Sequence, residues 1–192
     1  SAEGVTEALD NMGVKSGLDA TFRGTREFTD SWGRTKTIPT TDKLERVYFT
    51  SALAQIFVFT LAPQLLGGTG IQFTTEELKY LPAGTENLTS MGSLFAGGEI
   101  DREMLLKEDI QLVIDCSGTT LTESDVSAAQ KLEEQTGIPS LCIDGSFTNI
   151  RQAYRMLGEI LGAQDRAEKI SAYLERVYND VTAAVADIPD DK

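Results

Sequence analysis

Residues 111–116 read QLVIDC, an almost uninterrupted apolar run that predicts a β-strand in the middle of a sheet. Ser117-Gly118-Thr119-Thr120 follows as its exit loop. The next residues, TESD at positions 122–125, match a capping box at the start of a helix, and Gly137 is placed to end that helix. A second apolar run, SLCID at residues 140–144, predicts another buried strand. This order of strand, helix and strand indicates two parallel strands with a helix packed over them.

The same alternation continues on both sides of this unit. Strands are predicted at residues 46–50 (RVYFT) and, more weakly, at 70–73, and helices at 52–61, 76–80, 100–109 and 165–186. Another helix is predicted to begin with Thr148 as its N-cap. Near the N-terminus, residues 27–30 and 35–38 predict a β-hairpin with Gly33 in the left-handed turn position. The fold class is therefore predicted to be α/β, a Rossmann-like parallel sheet flanked by helices, with a small N-terminal β-hairpin and a long C-terminal helix.

Composition excludes several classes of function. The 192 residues carry 17 Lys and Arg against 30 Asp and Glu, a net charge of −13 that disfavours binding to nucleic acid. There is no histidine, which excludes His-dependent catalytic triads and His-ligated metal sites. Cys116 and Cys142 form one disulfide or lie buried as small apolar side chains, and we expect the second. No apolar run reaches the roughly 18 residues of a membrane span.

Ligands of parallel α/β sheets bind at the carboxyl ends of the strands. Those ends are predicted at Thr50-Ser51, at Thr74, at residues 116–119 and at residues 144–146. Ser51 lacks both the Gly-x-Ser-x-Gly elbow and a histidine base, which argues against a catalytic nucleophile. Asp115 and Asp144 are either a carboxylate pair for acid–base chemistry or caps of the loops that follow them. Residues 117–120 hold an anion or a ligand oxygen, or else form a plain turn capped by threonine.

Acidic residues are concentrated between positions 76 and 109. Eight carboxylates lie there: Glu76, Glu77, Glu86, Glu99, Asp101, Glu103, Glu108 and Asp109. They are accompanied by three bases, Lys79, Arg102 and Lys107. This segment is either a solvated face or a docking surface for a basic partner, because clustered carboxylates orient proteins that present arginines.

The order of several motifs resembles one family of proteins. Residues 28–39 read FTDSWGRTKTIP and precede RV at positions 46–47; residues 97–106 read GGEIDREMLL and lead into QLVI at 111–114. TGIP at residues 136–139 precedes Ile143-Asp144 and then AYRMLG at 153–158. In this order, residues 28–186 resemble the substrate-binding proteins of iron-complex ABC transporters. These class III periplasmic binding proteins carry siderophores, haem or cobalamin.

The resemblance implies two α/β lobes joined by one long helix, with the ligand between the lobes. In this chain it implies an N-terminal ligand-binding lobe over residues 26–147, with its hairpin at 26–39. Residues 1–25, which show no clear period and are broken by glycines, are predicted to be a leader or loosely attached arm. Residues 148–186 would be helices that include the connecting helix, and the C-terminal lobe would be absent. The valines in the far half of that helix, Val177, Val181 and Val185, are then expected to face solvent, fold back or meet a second molecule.

The resemblance also implies functional residues. The ligand-lining loops map onto residues 50–52, 91–98 and 117–119, which places Thr50, Ser51, Ala52, Phe95, Ser117 and Thr119 in the cleft. Glu103 matches the docking glutamate that pairs with permease arginines. The expected function is extracytoplasmic capture of a ferric siderophore, haem or cobalamin-like molecule for an ABC permease, without catalysis or cofactor, by a periplasmic protein or a lipoprotein anchored at the cell surface. The alternatives are a small α/β enzyme or nucleotide-binding module, or a stand-alone interaction lobe.

Overall fold

The structure, a computed structural model, describes residues 24–94 and 98–186. Its centre is a parallel sheet in the order β3 (Val47–Phe49), β4 (Leu112–Ser117) and β5 (Ser140–Asp144), and a separate antiparallel hairpin consists of β1 (Thr25–Thr29) and β2 (Thr35–Pro39). The α-helices are α1 (Ala52–Leu61), α2 (Thr75–Leu78), α3 (Arg102–Lys107), α4 (Glu123–Thr136), α5 (Ile150–Leu161) and α6 (Gln164–Val185). Short 3₁₀ turns lie at Pro63–Leu65 and Thr85–Asn87.

Helices cover both faces of the central sheet, which is why most positions of its strands carry buried apolar side chains on both faces. Leu112 and Ile114 of β4 pack with α1 and α5 on one face. Val113, which points the opposite way, packs with residues of α3 and α4 on the other. The predicted α/β architecture, with a parallel sheet between layers of helices and a hairpin near the N-terminus, is confirmed.

The two cysteines lie on neighbouring strands but face opposite sides of the sheet. Asp115 is the register partner of Cys142, and Cys116 is the partner of Ile143. Cys116 therefore belongs to the core against α1 and α5, whereas Cys142 packs with Val126 and Ala129 of α4. Both thiols are free and buried, as expected, and their opposite orientations prevent a disulfide. Burial raises the pKa of Cys142 to about 12 and raises that of Cys116 further.

The hairpin attaches to the outer edge of β5. The backbone N–H of Ser31 donates to the Cys142 carbonyl at 3.0 Å, and the N–H of Cys142 donates to the Asp30 carboxylate at 3.0 Å. Gly33 has a φ of 82°, which is the left-handed turn position that the sequence predicts. The Asp30 carboxylate also accepts both Nε and Nη2 of Arg34, so the turn and the sheet share one buried acceptor.

The prediction of a strand at residues 70–73 is wrong, because the structure has no strand there. The pairing there is an isolated bridge between Thr69 and Ser90, and the following residues form a loop in which Ile71 is exposed. Without a buried face, this segment has nothing to hold it in a ladder. Thr74 therefore ends no strand; its hydroxyl accepts the Glu77 N–H in a capping box that begins α2.

Other boundaries differ from the predictions by a few residues. Helix α3 is shorter than predicted because Asp101 caps it and Asp109 adopts a positive φ of 51° after its end. Asn149, not Thr148, is the N-cap of α5, without a side-chain capping bond. The capping box of Thr122 and Asp125 at the start of α4 and the left-handed Gly137 at its end are both confirmed. The leader predicted at residues 1–25 lies almost entirely outside the described residues.

Helices α5 and α6 form the C-terminal pair. Gly158 allows their close approach, because a Cβ added there would lie 2.3 Å from the Cβ of Ala167. Ser171 is fully buried and donates to the Arg151 carbonyl at 3.2 Å, while Arg155 pairs with Glu168 at 3.0 Å. Beyond Ser171, α6 runs on with most of its side chains exposed.

Candidate functional site

The ends of the three parallel strands lie along one edge of the sheet. We call residues 50–52, 115–120 and 144–146 the carboxyl edge. Helices α1, α4 and α5 each begin within a few residues of a strand end, so their N-termini lie at the same edge. The carboxyl edge is where the connections leave the sheet on both faces, which makes it the usual place for a ligand in this class of fold.

A hydrogen bond between Thr50 and Asp115 ties two of the strand ends together. The Thr50 hydroxyl donates to Oδ1 of Asp115, and the Thr50 N–H continues the ladder to the Ile114 carbonyl at 3.2 Å. Thr50 is fully buried, while Asp115 is partly exposed. Burial raises the pKa of Asp115, and the repulsion of Asp125 adds to this; the Thr50 hydrogen bond and the charge of Arg34 oppose it.

Ser51 and Ala52 begin α1. Ser51 is nearly buried, and its Oγ accepts the N–H of Ala54 at 3.1 Å as the N-cap of the helix. Its hydroxyl oxygen therefore satisfies one of the free N–H groups at the start of the helix. Ala52 is half-buried beside it.

A loop from residues 91–94 reaches over the end of β3. The N–H of Leu94 and the hydroxyl of Ser93 both donate to the Thr50 carbonyl at 2.9 Å. Residues 93 and 94, part of the segment 91–98 predicted to line the ligand, therefore lie against the carboxyl edge, while Phe95, the residue singled out from the sequence, lies outside the described residues. The contact of Ser93 was not predicted, since a serine in a glycine-rich loop carries no distinguishing signal.

Asp144, at the end of β5, belongs to a separate network. Its carboxylate accepts the Ser146 N–H at 2.9 Å and the Asn149 side-chain amide at 2.7 Å. Burial alone would raise the pKa of Asp144, but the bonds from Ser146 and Asn149 outweigh it and lower the pKa. Asp144 thus caps the loop that follows it, whereas Asp115 bonds back to Thr50. The two carboxyl groups differ in protonation tendency and do not share hydrogen-bond partners.

The exit loop of β4 is open to solvent. Ser117 is the last residue of β4, and Gly118, Thr119 and Thr120 are exposed. The threonine that caps the next helix is Thr122, so the exposed loop residues are not used as its N-cap.

The acidic segment of residues 76–109 divides into internal and surface carboxylates. Glu108 is already engaged within the protein, since it pairs with Arg46 at 2.9 Å and accepts the Thr89 hydroxyl at 3.1 Å. Glu103 is exposed in the first turn of α3. A shallow cavity of about 590 Å³ beside it is lined by Glu103, Asp101, Glu99, Arg102, Ile100 and residues 90–92. Arg102 donates to Gln135 at 2.8 Å, and its single positive charge stands against the three carboxylates of Glu99, Asp101 and Glu103, so this surface has a negative character.

An apolar strip begins next to the carboxyl edge and runs along α6. Phe147 is 72% exposed, and its ring centre lies 6.0 Å from that of Tyr178. A largely apolar groove of about 190 Å³ is lined by Phe147, Ile150, Arg151, Leu174, Val177, Tyr178, Val181 and Thr182. The three valines singled out from the sequence, Val177, Val181 and Val185, are all exposed. Phe147 was not predicted, because a single aromatic residue in a loop has no periodic pattern to mark it.

Neither a metal site nor a membrane span is evident in the part of the chain that the structure describes. Within residues 24–94 and 98–186, no group of three or more Cys, Asp and Glu side chains is arranged to hold a metal ion. In the same residues, no helix combines the length and the apolar character that crossing a bilayer requires.

Comparison with known proteins identifies the fold. The sequence matches no known family profile and no curated protein. Among solved structures, an ABC transporter solute-binding protein from Sulfurospirillum deleyianum superposes with a TM-score of 0.73 at 18% identity, over 85% of this chain and 50% of that protein. The chain has the fold of the class III ABC solute-binding proteins, over about half their length.

Other solute-binding proteins with this fold have different ligands. The molybdate-binding MolA of Haemophilus influenzae matches with a TM-score of 0.69 at 16% identity, over 87% of this chain and 56% of its own. The haem complex of IsdE from S. aureus matches with a TM-score of 0.59 at 15% identity, over 74% of this chain and 50% of its own. At these identities the likeness defines the fold alone. The fold and the resemblance inferred from the motifs agree.

Proposed function

We propose that this chain is the N-terminal lobe of an extracytoplasmic solute-binding protein that captures an iron complex, such as a ferric siderophore or haem, and delivers it to an ABC permease. The observation that carries the proposal is the superposition of about 85% of the chain on half of a solute-binding protein. The exposed exit loop of β4 at the carboxyl edge agrees with it, since ligands of such folds bind where the strands end. The proposal predicts binding without turnover.

The proposed ligand class rests on the ligands of the structural neighbours and on the motif order. One neighbour is complexed with haem and another with ferric iron and acinetobactin, while a third holds molybdate. Within this chain, the proposed ligand-binding residues are Ala52, Ser117 and Thr119, while Thr50 and Ser51, which are buried, are proposed to hold the carboxyl edge in place. Phe95 is kept in the proposal from the sequence pattern.

The proposed second lobe explains the apolar strip on α6. Exposed apolar side chains at Phe147, Tyr178 and Val181 form a surface of the kind that proteins normally cover. We place the domain boundaries at residues 26–147 for the lobe and 148–186 for the helices, with the strip packed against the second lobe in the complete protein. The chain alone is then expected to self-associate through this strip. In sedimentation at several concentrations, Val181→Ser would weaken self-association, whereas Lys169→Ser, outside the strip, would leave it unchanged.

Glu103 is the proposed docking residue for the permease. It is exposed at the start of α3, beside Glu99 and Asp101, where a permease arginine can approach without displacing an internal ion pair. A carboxylate and an arginine form a bidentate pair that sets orientation as well as affinity.

The proposal is tested by a ligand screen on the product of the complete reading frame. Ferric siderophores, haem and cobalamin are titrated separately, with binding followed by quenching of intrinsic fluorescence. Saturable binding of one of them, with no chemical change in the recovered ligand, is the expected result. Failure of all three classes to bind, or conversion of any of them, would contradict the proposed function.

A further inference from the structure

One cation lies in the apolar groove between α5 and α6. Arg151 is half-buried there, and its guanidinium carbon lies 4.9 Å from the ring centre of Tyr178. Within residues 24–94 and 98–186, Arg151 forms no ion pair with an aspartate or a glutamate. Arg155, one turn further along α5, is instead paired with Glu168 at 3.0 Å. Arg151 is thus a positive charge that lies over an aromatic ring and lacks a carboxylate partner.

The groove supplies no carboxylate of its own. Its volume is about 190 Å³, and the eight residues that line it include no aspartate or glutamate, although the chain has 30 of them. Glu175, which follows Leu174 on α6, lies 4.0 Å from Arg155. The groove therefore combines apolar walls with one unpaired positive charge.

The proposed second lobe gives this groove an occupant. The chain corresponds to half of the solute-binding protein on which it superposes best in the comparison above, and the proposed function assigns the other half to a lobe that packs on α6. Phe147 and Val181, which both line the groove, are 72% and 56% exposed. A lobe that covers these two side chains also covers the groove, and with it Arg151.

Covering Arg151 removes water from its guanidinium. A charge taken out of water is costly unless an opposite charge and hydrogen-bond acceptors replace that water. The face of the Tyr178 ring attracts the cation but does not replace its hydrogen bonds to water. A carboxylate provides both, because it accepts two N–H groups of a guanidinium at once.

Building on the proposed function, we propose that the second lobe places a carboxylate against Arg151 and apolar side chains in the groove beside it. The carboxylate pairs with the guanidinium, while the apolar side chains pack on Phe147 and Val181. The ion pair sets the orientation of the lobe on α6, because a bidentate pair has a fixed geometry. The partner surface is thus acidic at one point and apolar around it.

The test compares the product of the complete reading frame with the 192-residue chain. Arg151→Met keeps an unbranched apolar side chain but removes the charge, and Arg151→Glu reverses the charge. Arg176→Met is the matched control, because the Arg176 guanidinium also lies over a tyrosine, 5.4 Å from the ring centre of Tyr173, but is exposed and outside the groove. Circular dichroism gives the melting temperatures, with the 192-residue chain studied at a concentration where sedimentation shows a monomer.

The two proteins are expected to respond differently to the same substitutions. Arg151→Met should lower the melting temperature of the complete protein by about 3–6 °C, because the carboxylate of the second lobe loses its partner. Arg151→Glu should lower it further, since two carboxylates then repel each other. In the monomeric 192-residue chain, Arg151→Met should change the melting temperature by about 2 °C or less, and Arg176→Met should do the same in both proteins.

Three results would overturn the inference. If Arg151→Met has no effect in the complete protein, or if Arg151→Glu is tolerated as well as Arg151→Met, no carboxylate faces Arg151, while the proposed function stands. If the effects appear only in the 192-residue chain at concentrations where it associates, the occupant of the groove is a second copy of the chain. If the complete reading frame encodes no second lobe, the proposed function itself fails, and the inference falls with it.

Discussion

The buried carboxylate of Asp30 accepts both Nε and Nη2 of Arg34, at 3.0 and 2.7 Å, and at the same time accepts the backbone N–H of Cys142. Arg34 in turn donates to the Ser140 carbonyl at 3.1 Å. The pair therefore joins the N-terminal hairpin to the outer strand of the central sheet. It closes the edge of β5, which would otherwise present unpaired backbone groups.

Removing one partner of this pair is expected to be costly. Asp30→Ala leaves the Arg34 guanidinium and the Cys142 N–H without their acceptor in a largely buried site, which should lower the free energy of unfolding by about 3–5 kcal/mol. Urea denaturation followed by circular dichroism measures the loss. Asp42→Ala, at an exposed aspartate in the same part of the chain, serves as the control; equal effects of the two substitutions would disprove the structural role of Asp30.

The contact between α5 and α6 depends on Gly158. Gly158→Ala places a methyl group 2.3 Å from the Cβ of Ala167, so the helices must separate. The expected destabilisation is about 1–3 kcal/mol, typical of an overpacked interface. Ala167→Gly combined with Gly158→Ala should recover part of this loss, and thermal unfolding of both single variants and the double variant provides the cycle. Strictly additive effects would show that the two residues do not clash.

The raised pKa of Asp115 predicts a pH-dependent contribution to stability. The folded state holds the Asp115 proton to higher pH than the unfolded state, whose pKa is near the ordinary value of 3.8. Protonated Asp115 therefore adds to the free energy of unfolding. This stabilisation is complete below pH 3.8 and is lost as the pH rises through the pKa of Asp115 in the folded state. Asp115→Asn, which cannot ionise, should be more stable than the parent at pH 7 and lose this advantage at pH 3.

Urea denaturation at the two pH values measures the difference between Asp115→Asn and the parent. The groups that act on Asp115 are Thr50, Asp125 and Arg34, so Asp180→Asn on distant α6 is the control for a general charge effect. An advantage of Asp115→Asn that is equal at both pH values would contradict the assignment to Asp115 ionisation.

The two thiols are predicted to be inert in the folded protein. Cys116 and Cys142 are buried, and burial raises the pKa of both, so little thiolate is present at neutral pH. Ellman's reagent should react with neither thiol in buffer and with both in strong urea. Addition of a reductant should not change the melting temperature, and a shift on reduction would indicate a disulfide that the strand register forbids.

If Glu103 docks the permease, its substitution should reduce ligand uptake without changing ligand binding. Glu103→Gln in the complete protein should leave ligand affinity unchanged and weaken permease docking by about 2 kcal/mol or more, since one partner of a charge pair loses its charge. Uptake of radiolabelled ligand by cells carrying the variant measures the effect. Glu45→Gln, also exposed but outside the acidic segment, is the matched control, and equal uptake by the two variants would argue against docking through Glu103.

Much of the fold follows from patterns that act over a few residues. Helix α1 is predicted with its full extent, and the capping box at Thr122 and the left-handed Gly137 define α4 correctly. These signals are local because a capping side chain bonds to an amide two or three residues away. The strand at residues 70–73 was predicted wrongly for the complementary reason: a short apolar run becomes a strand only where a neighbouring strand pairs with it.

The sequence by itself determined the α/β alternation, the ends of several helices, the absence of histidine chemistry and the acidic surface around Glu103, because each depends on composition or on residues close together in the chain. Only the tertiary structure decided which carboxylates accept hydrogen bonds from distant residues and which remain exposed at the surface. The bond from Thr50 to Asp115 spans 65 positions, and the bond from Cys142 to Asp30 spans 112. Contacts over such sequence separations depend on strand order and register, because these determine which side chains become neighbours. No pattern of nearby residues in the sequence specifies them.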